Sequence, residues 1–208
     1  MHTLASLSAW RLALCWVAAL ALAGCGDAPK LARLAPDAVV LAFGDSLTYG
    51  TGAVEADSYP AQLERLIGRT VVRAGVPGEV TGQALARLPA ALEEHQPKLL
   101  VLCTGGNDFL RNLSQAEAAA NVRRMIALAK QSGAEVLLLG TPEKGLLVTP
   151  PKLYAQIAKE YGIPYEGKVI GEILRSPELK ADPIHPNARG YRLIAERVAA
   201  LLQKSGAL

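Results

Sequence analysis

Val39-Val40-Leu41-Ala42-Phe43, followed at once by Gly44-Asp45-Ser46-Leu47, is the stretch whose reading decides the architecture. Five successive apolar residues with no polar alternation predict a strand covered on both faces, the kind found in parallel sheets between layers of helices. The residues behind it leave the strand at its carboxyl end, and a serine there can present its hydroxyl at the edge of the sheet.

Outward from this run the pattern alternates. Tyr59–Ile67 has helical spacing at Leu63, Leu66 and Ile67, with Ser58 as N-cap and Pro60 in the first turn. Val71-Val72 is short and β-branched. Thr81–Leu92 reads as a helix and Leu99–Cys103 as a second continuous apolar strand. Ser114-Gln115-Ala116-Glu117 has the capping-box form and opens a helix carried on by Val122, Met125 and Ile126, with Gly133 just past its end. Glu135–Gly140 reads as a third strand, Tyr154–Tyr161 as a helix, Ile163–Tyr165 as a short last strand and Asn187–Gln203 as a closing amphipathic helix. This alternation predicts a three-layer α/β/α domain over residues 39–208, with a central parallel sheet and its active site at the carboxyl ends of the strands.

The totals agree with one packed domain. Of 208 residues, 50% are hydrophobic and 20% charged, which excludes wholesale disorder. The net charge of +3 comes from scattered basic residues, so nucleic acid is not an expected partner. Cys15 and Cys25 fall in the N-terminal apolar segment, leaving Cys103 alone in the body of the chain. No internal disulfide and no metal or other cofactor is therefore expected.

The N-terminal segment reads as an export signal. Leu12–Ala23 falls short of the roughly 18–20 apolar residues that span a bilayer, and small residues follow where a peptidase would cut. Leu22-Ala23-Gly24-Cys25 resembles the lipobox of bacterial lipoproteins. That resemblance implies a signal peptide over residues 1–24, lipidation of Cys25, and a periplasm-facing protein anchored to a membrane of the cell envelope. Ordinary signal cleavage with an incidental Cys25 is the alternative. Residues 25–38, with Asp27, Pro29 and Pro36, read as a tether.

Four loops at the predicted carboxyl edge carry polar groups suited to chemistry. Ser46 follows the first strand, where it serves either as a nucleophile or as a helix N-cap. Gly75-Val76-Pro77-Gly78 follows the second, either a plain turn or a loop whose amides face a ligand. Thr104-Gly105-Gly106-Asn107-Asp108 follows the third. Asn107 there is either an Asx-turn residue or a neutral donor for an oxyanion. Asp182-Pro183-Ile184-His185-Pro186 precedes the last helix, and its spacing lets Asp182 orient His185 as a general base. The same spacing fits half of a metal site, but no other His or Cys is placed to complete one. Together the four loops supply nucleophile, base, orienting acid and oxyanion donors.

With these residues in view, the sequence resembles the SGNH hydrolases, also called the GDSL family, and within it the arylesterase-like thioesterase I / protease I / lysophospholipase L1 group. Gly44-Asp45-Ser46-Leu47, Gly78, Gly105-Gly106-Asn107-Asp108 and Asp182-Pro183-Ile184-His185-Pro186 match its successive blocks. Ala86-Arg87-Leu88-Pro89-Ala90 and His95-Gln96-Pro97 also look like that group. The resemblance implies a flavodoxin-like fold, a catalytic triad of Ser46, His185 and Asp182, and an oxyanion hole formed by the Ser46 and Gly78 amides with the Asn107 side chain. It implies hydrolysis of small acyl esters or lysophospholipids through an acyl-enzyme, without a cofactor. Thr141–Pro151 is shorter and differently composed than the groove-covering loop of the long-chain thioesterases. Leu146, Leu147 and Val148 offer only a short apolar wall beside Lys144 and the prolines, so short-to-medium acyl chains are expected. Two other readings stay open: an O-acetylesterase acting on envelope polysaccharide, and a ligand-binding lipoprotein without catalysis.

Overall fold

The computed structural model describes residues 29–143 and 148–208. The signal segment, Cys25, and the loop residues Lys144, Leu146 and Leu147 lie outside the described residues.

The sheet has five strands, all parallel, in the order β2-β1-β3-β4-β5. They are β1 (Val40–Gly44), β2 (Val71–Gly75), β3 (Leu99–Cys103), β4 (Glu135–Leu139) and the two-residue β5 (Tyr165–Glu166). The chain builds outward from β1 to β2, then crosses to the other side with β3. Adjacent loops at this reversal leave in opposite directions and open a crevice at the carboxyl ends of β1 and β3.

Alternating residues explain why the central strands read as unbroken apolar runs. Val40, Ala42, Leu99 and Val101 face one core, with Tyr59 and Leu63 of the helix Tyr59–Ile67, Ile170 and Ile173 of the helix Val169–Arg175, and Ile194 and Val198 of the helix Ala188–Lys204. Leu41, Phe43, Leu100 and Leu102 face a second core, with Leu88 of the helix Thr81–His95, Met125 and Ile126 of the helix Gln115–Gln131, and Ile157 of the helix Lys152–Tyr161. Both faces are sealed, each large apolar side chain contributing about 1.5–3 kcal/mol against the entropy of ordering it. No helix among the described residues is long and apolar enough to cross a membrane.

The edges depart from the sequence reading. β2 runs to Gly75, but it is an edge strand with only Val71 buried, and Arg73 breaks its apolar pattern. Three helices were not expected from the sequence. Ser46–Tyr49 and Gly106–Leu110 are too short to show a helical period, whereas Val169–Arg175 does carry apolar positions one turn apart.

The expected tether is also shorter than read. From Leu31 the chain is part of the domain: Leu31 and Leu34 are buried, and their N–H groups donate to the carbonyls of Ser205 at 2.9 Å and Ala207 at 2.8 Å. The Ala32 N–H donates to Glu135 Oε1 at 3.2 Å. The apolar positions Leu31, Leu34 and Ala38, set among exposed residues, cover the end of the last helix at the amino edge of the sheet. Residues 31–38 thus pack on the domain, which they approach at the edge opposite the crevice.

Candidate active site

Gly44 closes β1 in register with Gly75 and Cys103, so the first three strands end at one level. A Cβ on Gly44 would strike the Cys103 carbonyl oxygen, and only glycine permits so close an approach. Asp45 then caps the helix Ser46–Tyr49, its Oδ1 accepting the Leu47 N–H at 3.0 Å. The cap is Asp45, which leaves the Ser46 hydroxyl for another partner.

That partner is His185, whose Nε2 lies 3.0 Å from Ser46 Oγ. Its Nδ1 lies 2.7 Å from Asp182 Oδ2. Asp182 Oδ1 also accepts the N–H groups of Ile184 at 2.8 Å and His185 at 2.9 Å. Burial acts to raise the Asp182 pKa, but the hydrogen bonds from the His185 ring, Ile184 and the His185 amide outweigh it and hold the carboxyl below its ordinary value. An ionised carboxylate can only accept, so Nδ1 carries the proton and Nε2 presents a lone pair to Ser46. The loop is pinned at both ends. The Ala181 N–H donates to the His185 carbonyl at 2.9 Å, and Asn187 Oδ1 caps the last helix through the Arg189 and Gly190 amides.

Beyond β3, Gly105 has φ +107, and a Cβ there would collide with the Tyr154 hydroxyl, which donates to the Thr104 carbonyl at 2.7 Å. This bend starts the short helix Gly106–Leu110. Asn107 is no local turn residue. Its Nδ2 donates to the Glu79 carbonyl at 3.0 Å, across to the loop that follows β2. Gly78, in that loop, has φ +78, and its carbonyl accepts from Arg111 Nη2 at 2.8 Å.

Ser46, Asn107 and His185 line a common cavity of about 190 Å³, walled by Leu110, Pro142, Val148, Ile170, Leu174 and Ile184. Gly78 is not among its lining residues; it stands next to Glu79, whose carbonyl holds the Asn107 amide. His95 ends the helix Thr81–His95, its Nε2 3.9 Å from Glu94 Oε1, and takes no part. Among the described residues no cluster of three or more His, Cys, Asp or Glu is placed to hold a metal ion.

Sequence reasoning missed the buried carboxylates around this site. Asp108 accepts from the Thr81 N–H at 2.9 Å and the Thr81 hydroxyl at 2.6 Å. Glu79 receives a two-pronged contact from Arg87 at 2.7 and 2.8 Å. Asp45 has the Leu47 amide. Burial first, then the charges of Glu79 and Asp108, raise its pKa to about 7 against the lowering effect of that amide. Asp108 and Arg87 stood inside the sequence blocks, but nothing in a one-dimensional pattern assigned them partners.

The model of the GDSL-like lipase/acylhydrolase family matches residues 42–193, and the chain belongs to that family. It is 31% identical over 179 residues to thioesterase 1/protease 1/lysophospholipase L1 of Escherichia coli strain K12, covering 82% of this chain and 86% of that protein. It is 31% identical over 176 residues to an arylesterase of Vibrio mimicus, covering 79% and 88%. Among solved structures it resembles the psychrotrophic esterase EstA from Pseudoalteromonas sp., with a TM-score of 0.71, 22% identity, and coverage of 81% of this chain and 98% of that one, a likeness of fold.

The raised Asp45 pKa has a thermodynamic consequence. Between pH 3.8 and about 7 the unfolded chain releases this proton while the folded chain retains it. The stability contributed by the group therefore falls as pH rises through that window. Asp45→Asn keeps an oxygen to accept from Leu47 and removes the titration. Urea denaturation should show the stability of the variant relative to the wild type rising from pH 4 to pH 7.5, and a difference that stays flat would contradict the assignment.

Proposed function

We propose that this chain is a carboxylic ester hydrolase that works through an acyl-enzyme on Ser46. His185 Nε2 takes the hydroxyl proton as Ser46 Oγ attacks the ester carbonyl carbon. Asp182 holds the imidazole in the required tautomer and stabilises the imidazolium that forms. The carbonyl oxygen becomes an oxyanion, received by the Ser46 and Gly78 amides and by the Asn107 side chain. Nδ2 of Asn107 carries two hydrogens, and with one on the Glu79 carbonyl the other serves the oxyanion. The tetrahedral intermediate collapses as His185 returns the proton to the leaving alcohol. Water then attacks the acyl-enzyme with His185 as base, releasing the acid and restoring Ser46. The observation that carries this reading is the continuous hydrogen-bonded line from Asp182 through His185 to Ser46 at the mouth of a cavity.

The acyl group occupies the cavity walled by Leu110, Ile170, Leu174 and Ile184. Its volume of about 190 Å³ suits a short-to-medium acyl chain of an aryl ester or a similarly small ester. Lysophospholipids and thioesters, suggested by the names of the relatives, are substrates in the same class. In a panel of p-nitrophenyl esters from acetate to palmitate, kcat/KM should peak at or below about C8 and decline beyond, because longer chains leave methylenes worth about 0.8 kcal/mol each unburied. Asn107→Ala should lower kcat by about 10²–10³. A rise toward palmitate contradicts the short cavity, and activity confined to acetyl esters favours an O-acetylesterase.

We further propose that Cys25 carries a lipid anchor and that the protein faces the periplasm. The Leu22–Cys25 pattern supports this. Cys25→Ser should move the protein from the membrane fraction to the soluble fraction. A wild-type protein that is already soluble and has no lipid by intact mass contradicts the anchor.

A further inference from the structure

The sequence block Ala86–Ala90 places Arg87 on the helix Thr81–His95, and no step of the reaction above uses it. The surroundings of its guanidinium are unusually well defined. Nε donates to Glu79 Oε1 at 2.7 Å and Nη2 to Glu79 Oε2 at 2.8 Å, the parallel fork that guanidinium and carboxylate form when both are fixed. Nη2 also lies 3.1 Å from the Gly44 carbonyl and 3.0 Å from the Ala74 carbonyl. The Cζ atom sits 3.9 Å from the centre of the Phe43 ring. Glu79 itself is 5% exposed.

These contacts tie together the carboxyl ends of β1 and β2 and the loop that starts at Gly75. Glu79 is where the tie meets the chemistry: its side chain is held by Arg87, while its backbone carbonyl accepts the Asn107 Nδ2 at 3.0 Å. Gly78 is the residue before it, and Ser46 follows Gly44 by two. A sequestered ion pair of this kind contributes little net stability, because desolvation offsets its attraction. What the pair does supply is a fixed position for Glu79, and through its carbonyl a fixed direction for the Asn107 amide.

We propose that Arg87 and Glu79 are positioning residues for the oxyanion hole, acting on the reaction by holding the Asn107 amide through the Glu79 carbonyl. The role rests on the reading of Asn107 as an oxyanion donor. It calls for arginine specifically, since a lysine ammonium cannot form the fork on Glu79 and reach both strand-end carbonyls together. The pair acts on transition-state stabilisation and leaves ground-state binding in the apolar cavity alone.

The test is a double-variant cycle on a p-nitrophenyl butyrate assay, with Arg87→Met and Asn107→Ala made singly and together. Methionine keeps an apolar chain against Phe43 and removes the fork. A donor displaced by on the order of 1 Å loses up to about 10²-fold in rate, so Arg87→Met should lower kcat roughly tenfold or more, with KM within about twofold. In the Asn107→Ala background the same change should cost less than about threefold, because the group being positioned is gone. Arg87→Lys should recover less than half of the lost kcat. Should Arg87→Met fail to fold, Glu79→Gln, which keeps an acceptor oxygen but not the charged fork, takes its place in the cycle. An equal loss in both backgrounds, or an unchanged kcat in a folded Arg87 or Glu79 variant beside an impaired Asn107→Ala, overturns the positioning role. An unchanged kcat in Asn107→Ala itself overturns the oxyanion reading, and the positioning role with it.

Discussion

The contact between the end of β1 and the end of β3 is the constraint from which the rest of the site follows. Gly44 and Cys103 pair in register, and the glycine brings the backbone so near the Cys103 carbonyl that no side chain fits between them. β1 therefore ends and turns at the level where β3 ends, and the two loops begin side by side at the reversal of strand order. Ser46 stands two residues past one strand and Asn107 four past the other, so nucleophile and amide face one cavity. His185 then arrives from the far end of the chain, placed by a loop hydrogen-bonded to itself and capped onto the last helix. That helix is fastened to the Ser46 loop by the Tyr191 hydroxyl, which donates to the Thr51 carbonyl at 2.7 Å.

The electrostatics behind the nucleophile are as organised as the triad in front of it. Three carboxyl groups, Asp45, Glu79 and Asp108, are all buried near the nucleophile. Each is accommodated differently. Asp108 takes two hydrogen bonds from Thr81, and Glu79 takes the Arg87 fork. Asp45 is left with the Leu47 amide, and burial pushes its pKa up to about 7. A proton on Asp45 spares the developing oxyanion a further negative charge nearby, while its oxygen still caps the helix that carries Ser46. Asp182 is the opposite case, exposed and strongly hydrogen-bonded, and it stays ionised where a permanent negative charge favours the imidazolium.

How much of this was legible in the sequence depended on whether the signal was local. Leu99–Cys103 and Tyr59–Ile67 were read to the residue, because a doubly buried strand and an amphipathic helix write their surroundings into consecutive side chains. β2 was half-read, since an edge strand with Arg73 in it has no such signature. Leu31 and Leu34 looked like tether, because two leucines in a proline-containing segment carry no period, and their partners lie at the other end of the chain. In the site, Ser46, Asn107, Asp182 and His185 were recognisable from residue type and block order. The contacts that position them, Thr81 on Asp108 and Glu79 on Asn107, span 27 and 28 residues and become visible only when the strands are aligned. Val169–Arg175 was readable in principle, and its Ile170 and Leu174 prove to line the cavity.

The central claim is that the line from Asp182 through His185 to Ser46 produces a covalent acyl-enzyme. The most direct measurement is acid quenching within milliseconds of mixing with p-nitrophenyl butyrate, followed by intact-mass and peptide mass spectrometry. The account predicts one butyryl group per chain, localised to Ser46 and decaying at the rate of turnover. Turnover without an adduct in the quenched enzyme, or an acyl group carried by any other residue, would contradict it.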